Sequence, residues 1–161
     1  MLGGPDPNDN GGAMFKHILL PTDGSKLSDR AVQRGIELAE AVGARVTSLH
    51  VIPEFRIMAD ESFVLPNTVD IKRRYEKESK ARAQKLLDRI GERARAAGVK
   101  YEGVAVTGDV PYEQIIDAAK KRKCDLILMA SHGRRGLSGL LLGSETAKVL
   151  THSKIPVLVV R

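Results

Sequence analysis

The stretch Met129-Ala130-Ser131-His132-Gly133-Arg134-Arg135-Gly136-Leu137-Ser138-Gly139-Leu140-Leu141-Leu142-Gly143-Ser144 follows an apolar run that begins at Leu126. After Gly143-Ser144 the spacing turns helical. A strand, a glycine-rich loop and a helix start, in that order, is how a parallel α/β protein holds a phosphate. Glycines let the backbone come close, and the first N–H groups of a helix have no partner within it and face the anion. The order predicts a nucleotide or another phosphorylated ligand.

Working outward, strands and helices alternate along the chain. Lys16 to Pro21 reads as a short apolar strand. Ser25 suits the cap of a helix whose Val32, Ile36, Ala39 and Val42 recur at helical spacing, ended by Gly43. Arg45 to Ile52 predicts a second strand and Pro53 to Thr68 a loop. Val69 to Ala97 predicts a long polar helix that Gly98 terminates, followed by a third strand from Lys100 to Val106. Pro111 suits the first turn of a helix running to about Lys123, with Ile115, Ile116 and Ala119 inward. Asp125 to Ala130 is the fourth strand. Beyond the glycine loop come a helix from about Ser144 to His152 and a last strand from Pro156 to Arg161.

Five strands separated by helices imply an α/β fold: a mostly parallel, Rossmann-like sheet with helices on both faces and right-handed crossovers. The first and fourth strands are almost continuously apolar, as strands covered on both faces should be. Pro156 suits an edge position for the last. A strand order of 3-2-1-4-5 fits. Its topological switch point falls between strands 1 and 4, and ligands bind beyond the carboxyl ends of strands there. Those ends are Pro21-Thr22-Asp23 and Ala130-Ser131-His132, so the glycine loop lands at the expected crevice.

The whole chain is consistent with that reading. Its 161 residues predict one domain with a sizeable core, and 42% hydrophobic with 29% charged residues is ordinary for a soluble protein. Residues 1–13, rich in Gly, Pro, Asn and Asp, read as a disordered tail or a cloning remnant, with Met14 as a natural start. No apolar stretch is long enough to span a bilayer, and a signal-peptide core is absent. The lone cysteine, Cys124, excludes an internal disulfide, so the expected compartment is the cytoplasm. The net charge of +6 invites a nucleic-acid partner. However, aromatic residues are only 4% of the chain, and the basic residues between Lys72 and Arg95 alternate with Glu76, Glu78, Asp88 and Glu92. That pattern is the solvated face of a helix, and neither a nucleic-acid nor a membrane partner is expected.

Here the residues match a family. The chain resembles the universal stress proteins over nearly all of Met14 to Arg161. Ile18-Leu19-Leu20-Pro21-Thr22-Asp23-Gly24-Ser25 is similar to the family opening, Leu49-His50-Val51 to the end of its second strand, and Lys154-Ile155-Pro156-Val157-Leu158-Val159-Val160 to its last strand. The ATP-binding branch carries G-x2-G-x9-G-[ST]. The matching positions are Ala130, Gly133, Gly143 and Ser144, so the spacing holds while the first glycine is an alanine. The resemblance implies ATP, with Mg²⁺, as ligand and a homodimer formed through the C-terminal strand 156–161. The apolar run Val157-Leu158-Val159-Val160 on an edge strand needs such cover.

The candidate site follows. Gly133 and Gly143 allow close phosphate approach, and a side chain at either would intrude on the phosphates. Ser144, with the N–H groups of Glu145 and Thr146, holds phosphate oxygens, or else is a plain N-cap serine. The Glu145 carboxylate is tolerable beside phosphates if it points to solvent. Asp23 lies near the nucleotide, acting through Mg²⁺ and its waters, or else caps the first helix. Pro21 and Thr22 line the adenine or ribose side. By resemblance, Val51 offers backbone hydrogen bonds to adenine, Ala130 keeps the backbone groups for ribose contact, and Ser131 belongs to the nucleotide site. Arg134 and Arg135 reach the outer phosphates or are simply solvated. His132 has a structural role in the absence of an identifiable nucleophile. His17, His50 and His152 show no metal-ligand spacing. Cys124, beside Lys121, Arg122 and Lys123, is either a thiol of lowered pKa or a small buried residue.

Three functions compete. One is an ATP-binding regulatory protein in which ATP orders the glycine loop and the Pro53 to Thr68 loop, with at most slow hydrolysis because the Walker lysine pattern is missing. Another is a dimeric scaffold of the same family that has lost the nucleotide, with Ala130 as its sign. The third, a nucleotidyl transferase or ATP pyrophosphatase on a related fold, lacks the H-x-G-H and S-G-G-x-D-S motifs.

Overall fold

The computed structural model describes residues 14–56, 67–133 and 142–161. Residues 1–13, the centre of the Pro53 to Thr68 loop, and loop residues 134–141 with Arg134 and Arg135 lie outside the described residues.

The elements follow one another as β1 (His17–Pro21), α1 (Lys26–Val42), β2 (Arg45–Ile52), α2 (Thr68–Ala96), β3 (Tyr101–Thr107), α3 (Pro111–Lys121), β4 (Leu126–Ala130), α4 (Ser144–His152) and β5 (Val157–Val160). The strands form one parallel sheet in the order β3-β2-β1-β4-β5. Each strand lies within a residue of its expected bounds, and Ser25 caps α1 by accepting from Ser28 N–H at 3.2 Å. One helix end differs. α3 stops at Lys121, two residues before Lys123. There the chain makes a Schellman turn: Cys124 N–H donates to Ala119 O (2.9 Å) and Lys123 N–H to Lys120 O (3.1 Å). Lys123 takes the left-handed position, φ 55°, that glycine usually fills, so nothing in the residue types announces the stop.

Two cores cover the sheet. On one face α1 and α2 bring Ala31, Val32, Ile36, Ala39, Ile90 and Ala94 onto Ile18, Leu20, Val46, Leu126 and Leu128. On the other, α3 and α4 bring Ile115, Ala118, Ala119 and Val149 onto Leu19, Leu49, Ile127 and Met129. β1 and β4 are therefore buried on both faces, which is why their sequences are apolar throughout. α1 sits close to β1 because it turns Gly35 toward Leu20. A Cβ on Gly35 would stand 2.3 Å from Leu20 Cδ2. Cys124 is buried, and burial pushes its thiol up to about 11, the reverse of an activated cysteine.

His17 opens β1 and is 5% exposed. Its Nε2 shares a 2.8 Å hydrogen bond with Thr47 Oγ1. Burial first, then the Arg45 charge, lower its pKa below 6.5, against the opposing pull of the Arg122 backbone and of Asp125 and Glu102. The folded chain thus binds this proton later than the unfolded chain does. The contribution of His17 to stability should be constant above about pH 6.5 and fall as pH drops through the interval beneath it. The midpoint of thermal unfolding should be lower at about pH 5 than at about pH 7.5, and His17→Gln should flatten this part of the profile. An equal slope in both chains would remove His17 as its source.

Candidate functional site

The sheet splits where its topology reverses. β1 pairs with β4 only at Ile18↔Leu126 and Leu19↔Ile127. By contrast, β1 follows β2 as far as Pro21↔Leu49, and β4 follows β5 as far as Ala130↔Val160. Past Leu19 and Ile127 the ladder between the two central strands ends, which puts the crevice expected from the topology between Pro21-Thr22-Asp23 and Ala130-Ser131-His132.

The phosphate side is the start of α4. Its cap is Gly143, in extended backbone, and Ser144 is the first helical residue rather than the cap. A Ser, Thr or Asp cap would place its own oxygen on the first free N–H groups. With glycine there, no side chain caps the helix, and the N–H groups of Ser144, Glu145 and Thr146 retain the positive end of the helix dipole. Gly143 is also packed from behind. Its N–H donates to Ser131 O at 2.8 Å, and a Cβ would stand 3.0 Å from His132 Cα. A side chain there presses on the strand exit. The Thr146 hydroxyl is used internally, donating to Ala130 O at 3.0 Å, and so fastens α4 to the end of β4.

The Glu145 carboxylate, still about one third exposed, is turned to the start of α3. Oε2 accepts from Tyr112 N–H at 2.9 Å, and Oε1 pairs with Lys148 Nζ at 3.1 Å. Pro111 has no N–H and Val110 gives no side-chain cap, so a carboxylate brought by another helix caps α3. Lys148 also lies over the Tyr112 ring, 5.3 Å from its centroid.

The opposite wall is the end of β2. Gly108 N–H donates to Ile52 O on the β3 side. Thr22 N–H donates to Leu49 O on the β1 side. In a parallel ladder successive residues direct their backbone groups to alternate sides. Val51 therefore directs its N–H and C=O to the β1 side, where β1 has already ended. The result is a donor and an acceptor side by side on the crevice wall.

Thr22 reaches the crevice with its polar groups already engaged. Its hydroxyl shares a bond with Ser28 Oγ (3.1 Å) and accepts from Gly24 N–H (3.2 Å). Its carbonyl accepts from His50 Nδ1 at 2.8 Å. His50 is the residue that sequence reasoning missed. Testing it only for metal spacing overlooked that its place beside Val51 lets it pin the exit of β1. Asp23 caps the turn ahead of α1 rather than the helix, with Oδ1 accepting from Ser25 N–H at 2.9 Å. Its other oxygen lies against Gly133, where a Cβ would stand 2.6 Å from Oδ2. Asp23 thus bridges the mouth of the crevice from β1 to the first glycine of the loop. Ala130 is 6% exposed, with its methyl in the core under α1. Ser131 is buried, and its hydroxyl meets His132 Nδ1 at 3.1 Å. That serine–histidine contact lacks an exposed nucleophile.

Comparison with known proteins agrees with this fold. The model of the universal stress protein family matches residues 14–161. The universal stress protein MJ0531 of Methanocaldococcus jannaschii is similar at 33% identity over 155 residues, covering 94% of this chain and 85% of that protein. MJ0577 of the same organism is 30% identical over 156 residues, covering 92% and 96%. Its solved structure is similar with a TM-score of 0.76 at 29% identity, covering 91% of this chain and 96% of that one. A universal stress protein solved in complex with cAMP is similar with a TM-score of 0.65 at 29% identity, covering 91% and 97%.

Proposed function

The chain belongs to the universal stress protein family, and from that premise we propose that it binds ATP with Mg²⁺ in the crevice between β1 and β4. The observation that carries this reading is the uncapped start of α4 at the split in the sheet, which supplies N–H donors and a positive dipole end for phosphate oxygens. On the other wall, Val51 C=O and N–H match the donor N6 and acceptor N1 of adenine. The solved relative that holds cAMP supports an adenine nucleotide as the ligand class. Ala130 does not favour a nucleotide-free scaffold, because its methyl is spent in the core. Asp23, one oxygen of which is held by Ser25, would meet Mg²⁺ through waters.

We assign ATP a regulatory role, since among the described residues the hydrogen-bond partner of the His132 ring is a buried serine, and we place the protein in the cytoplasm. Among the described residues no helix is long and apolar enough to cross a membrane. Calorimetry with ATP and Mg²⁺, together with chromatography of any nucleotide released on denaturation, tests the reading. Heat and thermal stabilisation are expected. No heat and no stabilisation at millimolar ATP would sink it.

The assembly we propose is a homodimer through β5. Ile127 N–H donates to Pro156 O and Ser131 N–H to Val160 O, so by alternation Val157 and Val159 direct their backbone groups away from β4. Leu158 on this edge is 41% exposed. An open apolar edge invites pairing, and a twofold mate would pair antiparallel. Leu158→Asp should shift the light-scattering mass at micromolar concentration from dimer toward monomer. A monomer mass for the parent would overturn the assignment.

A further inference from the structure

We propose that Glu145 sets how many phosphates the crevice accepts, an inference that rests on the nucleotide reading above. Glu145 occupies the second position of α4, so its N–H is one of the three that would meet phosphate. Its carboxylate is tied to that same first turn and cannot leave the neighbourhood of the anion. The fold accommodates it by drawing it sideways. Tyr112 N–H takes Oε2 at 2.9 Å and Lys148 Nζ takes Oε1 at 3.1 Å.

This arrangement reduces the negative field at the start of α4 without abolishing it. Lys148 is half exposed, and solvent screens its pairing with Glu145. A residual repulsion therefore acts on whatever anion binds there, and it grows with each added phosphate charge. A monophosphate carries two charges at most and a triphosphate four, so the triphosphate meets about twice the repulsion. Glu145 thus acts as a specificity residue that holds down the preference for ATP over AMP.

The α3 cap makes the idea separable from a structural role. Glutamine at this position retains an oxygen for Tyr112 N–H and loses only the charge, whereas alanine loses both. The test compares parent, Glu145→Gln and Glu145→Ala by calorimetry with AMP and with ATP, in magnesium-free buffer at low and at moderate salt. Thermal midpoints are measured in parallel. In Glu145→Gln the ratio of ATP to AMP affinity should rise about fivefold at low salt and by less at moderate salt. Glu145→Ala should show a similar rise together with a lower thermal midpoint, from the lost cap. Binding of both nucleotides with an unchanged ratio in Glu145→Gln overturns this inference and leaves the nucleotide reading standing. No binding of either nucleotide by any of the three chains overturns both.

Discussion

Gly143→Val is expected to weaken ATP binding by about a hundredfold or more, the scale of losing two or three hydrogen bonds to a charged phosphate. The cause lies behind the phosphate site. A Cβ at Gly143 stands 3.0 Å from His132 Cα and 3.1 Å from its Cβ, and a backbone neighbour yields less readily than the end of a flexible side chain. Valine adds two methyl groups to that contact. The start of α4 must move off the Ser131-His132 backbone, and the 2.8 Å bond from Gly143 N–H to Ser131 O goes with it. The three N–H donors of α4 then no longer face the crevice. The hydrogen bonds within α4 are not touched by this shift, so the far-ultraviolet circular dichroism should not change. Calorimetry decides the matter. A valine variant that binds ATP as tightly as the parent would show that α4 does not form the phosphate site.

The second large effect is on stability. Leu20→Ala should cost about 3 kcal/mol, because a fully buried leucine leaves a void that the packed sheet cannot close. For a domain of this size the thermal midpoint should fall by about 10 °C. Gly35→Ala alone should cost about 1 kcal/mol, overpacking against Leu20 being partly offset by the better helix propensity of alanine. The double variant should be more stable than the sum of the two effects predicts, by about 1 kcal/mol, since the new methyl of residue 35 enters the space that Leu20 vacates. Denaturant melts of the four chains form the cycle. Strict additivity would mean that α1 and β1 do not meet at this pair.

The sequence by itself determined the elements and their order. Capping, spacing and turn residues are local signals: Ser25 before α1, Gly43 after it, Pro111 in the first turn of α3. Unbroken apolar runs marked β1 and β4 as central, and with the strand order fixed, the switch point and its crevice followed from connectivity alone. Val51, whose side chain gives no hint of a polar role, enters the candidate site only through the family pattern around it.

Only the tertiary structure decided where side chains and backbone groups point, because those directions depend on neighbours distant in the chain. Glu145 turns to α3 because Tyr112, 33 residues earlier, offers an N–H that Pro111 and Val110 leave uncapped. Ala130 stands where the family motif has glycine, and its methyl faces the core under α1 instead of the crevice. A Cβ at Gly143 would press on the His132 backbone, and one at Gly133 on the Asp23 carboxylate. His50 matters through the Thr22 carbonyl, 28 residues away, to which no periodicity connects it. A pattern along the chain records which face of an element is buried. The partner a polar group finds there is fixed only when the elements pack, since an unpaired buried donor or acceptor costs more than most local preferences can offset.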